Sequence, residues 1–292
     1  MNFTVLVENE SHEPELAAEH GISIWVEAGG KRILFDTGAS SAFAENADRL
    51  GIRIEDADIL VLSHAHADHT GGLRTFFERN KHAPVYVGRG ILGERYSIRG
   101  EEKRAIGMPP DVYDAHRDRF HHVADRLELA EGVGIALVGE VQRRHPLPSG
   151  NRNLFREREG RLEEDPFVEE LYLWIREPGG VRVISGCSHA GILNIVEAAE
   201  AYGPVSTVIG GFHLKGEEEG RIRDIARALS KVGMVYTGHC TGRPAYEIIR
   251  DELGERAHWA ATGTRAPAYP RRCYGLPSSV SPALGVSSAS VR

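Results

Sequence analysis

Four side chains able to ligate a cation, His64, His66, Asp68 and His69, fall within the six residues His64-Ala65-His66-Ala67-Asp68-His69. They follow the apolar run Ile59-Leu60-Val61-Leu62, which reads as a short buried strand delivering the chain to Ser63-His64. In a segment leaving a strand, residues two apart point to the same side, so His64 and His66 converge on one position. Asp68 and His69 sit where the chain turns into a helix running through Gly71-Gly72-Leu73 to Phe77, and they face a second position. Neutral imidazole and carboxylate oxygen suit a divalent first-row ion, with Zn2+ the leading choice and Mn2+ or Fe2+ as alternatives, one or two ions in all. A lone His is usually a surface residue or a satisfied core residue. Four ligand-type side chains in six positions at a strand end read as a metal cluster.

Such a loop must be held by elements on both sides of it. In the first half, residues 4–7, 22–26 and 32–35 are β-branched or aromatic runs, with Gly29-Gly30 as a hairpin turn between the last two. Asp36-Thr37-Gly38 ends the third run, residues 41–50 carry helical spacing in Ala42, Phe43, Ala47 and Leu50, and 84–87 reads as a further strand. In the second half, 134–141, 170–175 and 181–184 read as strands, followed by a helix over 192–201. Then come a strand (207–209), a helix (222–229), a strand (234–236) and a helix (245–253). Each half runs strands first and ends in strand–helix alternation, the pattern of two sheets packed face to face with helices outside. The expected fold is therefore of the α/β (α+β) class, an αββα sandwich in one domain over residues 1–265. Residues 88–118 and 143–165 show no sustained period and are expected to be irregular insertions covering the site. The Ser- and Pro-rich stretch 266–292 is expected to be a disordered tail.

Composition narrows the partners. The chain has 292 residues, 41% of them hydrophobic, enough to bury a core without needing a metal to hold it folded. With 35 Lys and Arg against 42 Asp and Glu, the formal charge is −7, and nucleic acid is not an expected partner because phosphate contacts need a basic face. No stretch has the length of a membrane span and the first residues lack a basic region followed by an apolar run, so no membrane association and a cytoplasmic location are expected. Cys187, Cys240 and Cys273 are widely spaced and odd in number, which fits a reducing compartment.

The His-x-His-x-Asp-His pattern, preceded by Phe35-Asp36-Thr37-Gly38, resembles the metallo-β-lactamase superfamily. The resemblance implies two further metal ligands: His189 in Ser185-Gly186-Cys187-Ser188-His189-Ala190-Gly191, and His239 in Thr237-Gly238-His239-Cys240-Thr241-Gly242. It narrows to a branch named for a dihydropterin-ribofuranosylaminobenzene phosphate synthase. The marks are Val5-Leu6-Val7-Glu8-Asn9, Glu19-His20-Gly21-Ile22-Ser23, the Cys187–His189 segment with Asn194, Gly210-Gly211-Phe212-His213-Leu214 and the His239 segment, together covering most of residues 3–263. One feature departs from the superfamily, which places a metal-bridging Asp at the end of the strand before the last His. Here that strand ends Ile209-Gly210-Gly211-Phe212-His213. Either His213 substitutes as a ligand or substrate contact, or Asp68, His69 and His239 hold the second ion alone.

The resemblance implies a metal-dependent hydrolase, or a related metal-assisted transfer, acting on a small and phosphorylated molecule through a metal-activated hydroxide. Two ions about 3.5–4 Å apart would share that hydroxide. Asp68 is the expected catalytic residue, holding the second ion, orienting the nucleophile and passing a proton to the leaving group. Asp36 either fixes a ligating imidazole or caps the turn before Gly38. Asn9 and His20 either line the pocket or serve a turn. Lys215 is either an anion contact or a solvated loop residue, and Cys187 and Cys240 read as small buried fillers beside ligands. The Arg-rich stretch 143–161 reads as a solvated loop, because Glu157, Glu159, Glu163 and Glu164 offset its charge. Thioester or lactone hydrolysis and a non-catalytic metal-binding scaffold are the alternatives. A di-iron oxygen-reducing role would place Glu where His66 stands, and an RNA-processing role would need a basic face.

Overall fold

The computed structural model describes residues 1–137 and 143–266, and all structural statements concern these. The strands of the first half are β1 (Asn2–Val7), β2 (Ser23–Ala28), β3 (Lys31–Phe35), β4 (Ile59–Val61), β5 (Val85–Gly88), β6 (Arg95–Arg99), β7 (Glu102–Ala105) and β8 (Phe120–Val123). Those of the second are β9 (Arg126–Ala130), β10 (Val133–Leu137), β11 (Leu154–Arg158), β12 (Arg161–Glu164), β13 (Leu171–Glu177), β14 (Gly180–Ser185), β15 (Val205–Gly210), β16 (Met234–Thr237), β17 (Ala257–Trp259) and β18 (Arg265–Ala266). The helices are α1 (Ala42–Arg49), α2 (Ala67–Thr70), α3 (Leu73–Arg79), α4 (Pro110–Ala115), α5 (Ile192–Ala199), α6 (Glu219–Ala228) and α7 (Arg243–Leu253).

Two seven-stranded sheets form, in the orders β18-β1-β2-β3-β4-β5-β8 and β17-β16-β15-β14-β13-β10-β9. Their side chains separate into three apolar layers because the pleat sends alternate residues to opposite faces. Between the sheets lie Val5, Ile33, Phe35 and Val61 from one and Ile135, Leu171, Leu173 and Ile175 from the other. The outer face of the first sheet, with Leu34 and Leu60, packs on Phe43 and Ala47 of α1 and on Leu73 and Phe76 of α3. The outer face of the second, with Trp174, Val183 and Val208, packs on Ile192 and Val196 of α5, Ile222 of α6 and Ile249 of α7. Three such layers require the order helix, sheet, sheet, helix.

The Gly29-Gly30 hairpin forms as the sequence indicates: Ala28 pairs with Lys31, and both glycines take positive φ (57° and 70°), the conformation a two-residue turn between twisted strands needs. Beyond it each sheet changes character. β3, β4, β5 and β8 are parallel, as are β14, β15, β16 and β17. In open sheets of this kind ligand sites form outside the carboxyl ends of parallel strands. Asp36, Ser63, Gly186 and Gly238 all lie just past such ends.

The stretches expected to be irregular hold regular structure instead. β6 and β7 from 88–118 pair with β11 and β12 from 143–165 in a four-stranded sheet, and α4 follows. Arg95 of β6 is buried between Asp165 (2.6 Å) and Glu169 (3.4 Å), tying this small sheet to the segment before β13. Strands β8, β9 and β17 also carry no strand expectation from the sequence, and the helix expected through Gly71-Gly72 is two short helices, α2 and α3. At the carboxyl end, Ala266 pairs with Phe3 as part of β18. The expected tail from 267 onward, residues 138–141 of the expected strand, and Cys273 lie outside the described residues. No described helix is long and apolar enough to cross a membrane.

Candidate metal centre

The loop after β4, the loop after β14 and the turn after β16 meet in one place. Ring centroids of His64 lie 4.6 Å from His66, 4.1 Å from His69 and 4.8 Å from His189, and His69 lies 5.2 Å from His239. His64, His69, His189 and His239 have almost no exposed surface and His66 has little. Nitrogen atoms of His64, His66 and His189 lie within 4.8 Å of one another, as do ligand atoms of His20, Asp68 and His239.

The direction each ring faces follows from what holds its other nitrogen. His69 Nδ1 donates to Asp36 Oδ2 (2.7 Å), His189 Nδ1 to Asn151 Oδ1 (3.0 Å) and His239 Nδ1 to Asn9 Oδ1 (2.8 Å). His64 Nδ1 donates to Ser63 Oγ (2.9 Å), whose hydroxyl in turn donates to Asp36 Oδ2 (2.7 Å). With an oxygen acceptor fixing the proton on Nδ1, Nε2 of His64, His69 and His189 presents a lone pair inward. The Nε2 atoms of His64, His66 and His189 are buried without a hydrogen-bond partner, while that of His239 faces Asp68. Buried polar atoms are rarely left so. A convergent set of imidazole lone pairs is what a divalent cation requires, and the residues therefore fit one.

Electrostatics agree. Burial holds His64 and His189 well below the usual imidazole range and His66 down to about 3, so these rings are neutral donors at neutral pH. For Asp68 burial opposes ionisation, but His69 and His239 outweigh it and hold the carboxyl well below its ordinary value. Its Oδ2 lies 3.3 Å from His239 Nε2, 3.3 Å from His20 Nε2 and 3.9 Å from His69 Nε2. For His239 burial also opposes the charge, but Asp68 pushes the pKa up to about 9, so in the metal-free chain this ring holds a proton that a cation would have to displace.

The backbone here is strained in a way that marks the site. Asp36, Phe167, Ser188, His213 and His239 take φ between 50° and 59°, a region that non-glycine residues seldom occupy. Gly186 allows the two halves to meet: a Cβ there would sit 2.1 Å from Ser63 Oγ.

Of the other residues singled out from sequence, Asp36 fixes a ligating imidazole and does not cap its own turn, since its carboxylate accepts from Ser63 and His69. It ends β3 in a left-handed turn and also holds Ser63 and His69. Asn9 supports His239 and donates to His20 Nδ1 (3.2 Å), so both border the Asp68 side. His213 lies beside His189, ring centroids 4.4 Å apart, with its Nδ1 buried and unpartnered, and it supplies no carboxylate. Lys215 is exposed on the following loop. Arg156 pairs with Glu163 across β11 and β12, as a solvated charged face does, and Arg152 is exposed. Cys187 is buried, but its Sγ faces His69 Nε2 at 3.1 Å instead of hydrocarbon.

Besides Asn151, which holds His189, three supporting residues were not singled out from the sequence. Glu170 accepts the backbone N–H groups of His189 (2.8 Å) and Ala190 (2.9 Å), and burial raises it to about 7. Glu8, also raised by burial, accepts the N–H of His239 across 231 residues of chain. Phe167 stacks on His189 with centroids 3.8 Å apart. Only the Glu8-Asn9 pair carried a signal, as part of the motif at the end of β1.

Residues 19–193 match the model of the metallo-β-lactamase superfamily. The chain is 31% identical over 271 residues to the 7,8-dihydropterin-6-methyl-4-(β-D-ribofuranosyl)-aminobenzene-5'-phosphate synthase of Methanocaldococcus jannaschii, covering 87% of this chain and 91% of that one. Among solved structures it resembles Tm1679, a metal-dependent hydrolase of the β-lactamase superfamily, with a TM-score of 0.79 and 30% identity over 92% of this chain and all of that one. It also shares its fold with a diphosphatase of the PhnP family, at a TM-score of 0.52 and 14% identity over 92% of this chain and 98% of that one. With the histidine cluster at the carboxyl ends of its parallel strands and the family match spanning more than half its length, the chain belongs to the metallo-β-lactamase superfamily.

Proposed function

We propose that this protein is a metal-dependent enzyme that hydrolyses, or transfers a group from, a small phosphorylated molecule. The observation that carries the reading is the set of buried, unpartnered Nε2 atoms on His64, His66 and His189, with Asp68 nearby at 3.9 Å from His69 Nε2 and 3.3 Å from His239 Nε2. His64, His66 and His189 would hold one cation and Asp68, His69 and His239 a second, with Zn2+ the first candidate. When bound, a divalent ion lowers the pKa of its water and polarises an electrophilic oxygen.

The chain's own residues supply positioning and proton handling. Asp36, Asn151 and Asn9 each hold one ring through its Nδ1, which fixes the ring's orientation. Asp68, ionised and one-fifth exposed, is the one carboxylate of the cluster that reaches both the second position and solvent. It is therefore the group to orient a nucleophile and to hand a proton to the departing oxygen. Next to it, His20, largely exposed, can meet an incoming substrate. A phosphate-bearing substrate is favoured by the relative in M. jannaschii, whose name specifies a phosphate product and a synthase, so group transfer stands beside hydrolysis.

The test combines metal analysis with a substrate panel. Purified protein is expected to carry one or two equivalents of zinc, manganese or iron, and to turn over phosphodiester substrates ahead of thioesters and lactones. His66→Ala should lose both metal and turnover. Metal-loaded protein inert to the whole panel would overturn the enzymatic reading in favour of a metal-binding scaffold.

A further inference from the structure

We infer that Cys187 is a sulfur ligand shared between the two cation positions, standing where a bridging carboxylate is absent. The inference rests on the metal reading above and deepens it.

The end of β15 carries no side chain that could bridge. Gly210 has φ 135°, and a Cβ on it would lie 1.9 Å from Ser185 O; a Cβ on Gly211 would lie 2.5 Å from Cys240 Sγ. The two glycines let β15 close directly on the turn after β14, and that turn projects Cys187 into the gap. Its Sγ forms one set of mutually close ligand atoms with His64 and His69, another with His189 and His213, and a third with His239 and Cys240. Among the described residues no other side chain belongs to as many such sets. It therefore neighbours ligands of the first position (His64, His189) and of the second (His69, His239).

A filler cysteine has hydrocarbon around its sulfur. This one, 3% exposed, has an imidazole nitrogen at 3.1 Å and ligand nitrogens of His64, His189 and His239 each within 4.8 Å. In the metal-free chain the thiol donates to His69 Nε2. A cation would displace that proton to solvent, leaving the thiolate and His69 Nε2 as its donors. Thiolate is a strong ligand for zinc and cobalt alike, and one sulfur between two ions would offset their mutual repulsion. Cys240 is differently placed, since its sulfur accepts the N–H of His213 at 3.2 Å.

Titration with Co2+ alone, followed by near-ultraviolet absorption, tests this without any activity measurement. Expected are two equivalents of cobalt and a sulfur-to-cobalt charge-transfer band that disappears in Cys187→Ser and persists in Cys240→Ser. X-ray absorption of the zinc-loaded wild type should give one sulfur per zinc, which needs no variant to fold. Two bound ions with no sulfur band, a band that survives in Cys187→Ser, or half a sulfur per zinc would each overturn the shared ligand while leaving the metal reading standing. A chain that binds no cobalt overturns both.

Discussion

Asp36 Oδ2 and His69 Nδ1 lie 2.7 Å apart with both side chains fully buried. The same carboxylate accepts the backbone N–H of Ser63 at 2.6 Å through Oδ1, so one residue at the end of β3 fixes both the start of the ligand loop and the tautomer of a ring six residues further on. Asp36→Asn keeps the size but puts a donor where His69 needs an acceptor. Metal affinity should fall by about 10–100-fold, as it does when such outer partners are removed. Competition against a chromophoric chelator measures it, and an unchanged affinity would show that Asp36 only shapes the turn.

Glu170 satisfies two buried N–H groups beside His189. Glu170→Ala leaves both without an acceptor, and at about 1–3 kcal/mol for each stranded group the loss of stability should be roughly 2–6 kcal/mol. Denaturant unfolding reads it directly. The pH dependence separates charge from shape. Burial raises the folded pKa to about 7, so as pH climbs from 4.5 towards 7 the unfolded chain ionises first. Metal-free wild type should then lose stability relative to Glu170→Gln over that window, by up to about 1.4 kcal/mol per pH unit.

His66 has the opposite sign. Its folded pKa is held down to about 3, so as pH drops below 6.5 the unfolded chain takes up a proton that the folded one refuses. Acid therefore destabilises the metal-free wild type relative to His66→Gln, progressively from 6.5 towards 3. Unfolding curves of both chains at pH 7, 6 and 5 suffice. Parallel curves would mean the ring accepts a proton within the fold, and its neutrality would have to be abandoned.

Arg95 is buried between Asp165 and Glu169 and also donates to Gly90 O at 2.9 Å. Arg95→Ala strands two buried carboxylates and should cost about 3–5 kcal/mol. Because the segment 165–170 carries Phe167 and Glu170, the same variant should weaken metal binding with no direct contact to the ligands. Full stability in Arg95→Ala would mean that water replaces the guanidinium and that the small sheet is not coupled to the site.

Much of the arrangement was legible because it is written locally. His64, His66, Asp68 and His69 are adjacent in sequence, and the strand that presents them, residues 59–61, is apolar on both faces and so stands out. The Gly29-Gly30 turn and the helix spacing of 42–49 are equally local. Strands β7 and β12 are exposed at every position, so neither carries the apolar alternation by which a strand is recognised. The small sheet they border was read as loop for that reason.

By itself the sequence determined which side chains can donate to a metal, that two sheets must enclose a core, and the strand ends from which the ligands leave. Only the tertiary structure decided which oxygen locks each ring and where the sulfur of Cys187 lies. The physical reason is distance along the chain: 231 residues separate Glu8 from His239, and 118 separate His69 from Cys187. No spacing rule reaches so far; it takes the closure of one sheet on the other to bring such pairs to hydrogen-bonding distance.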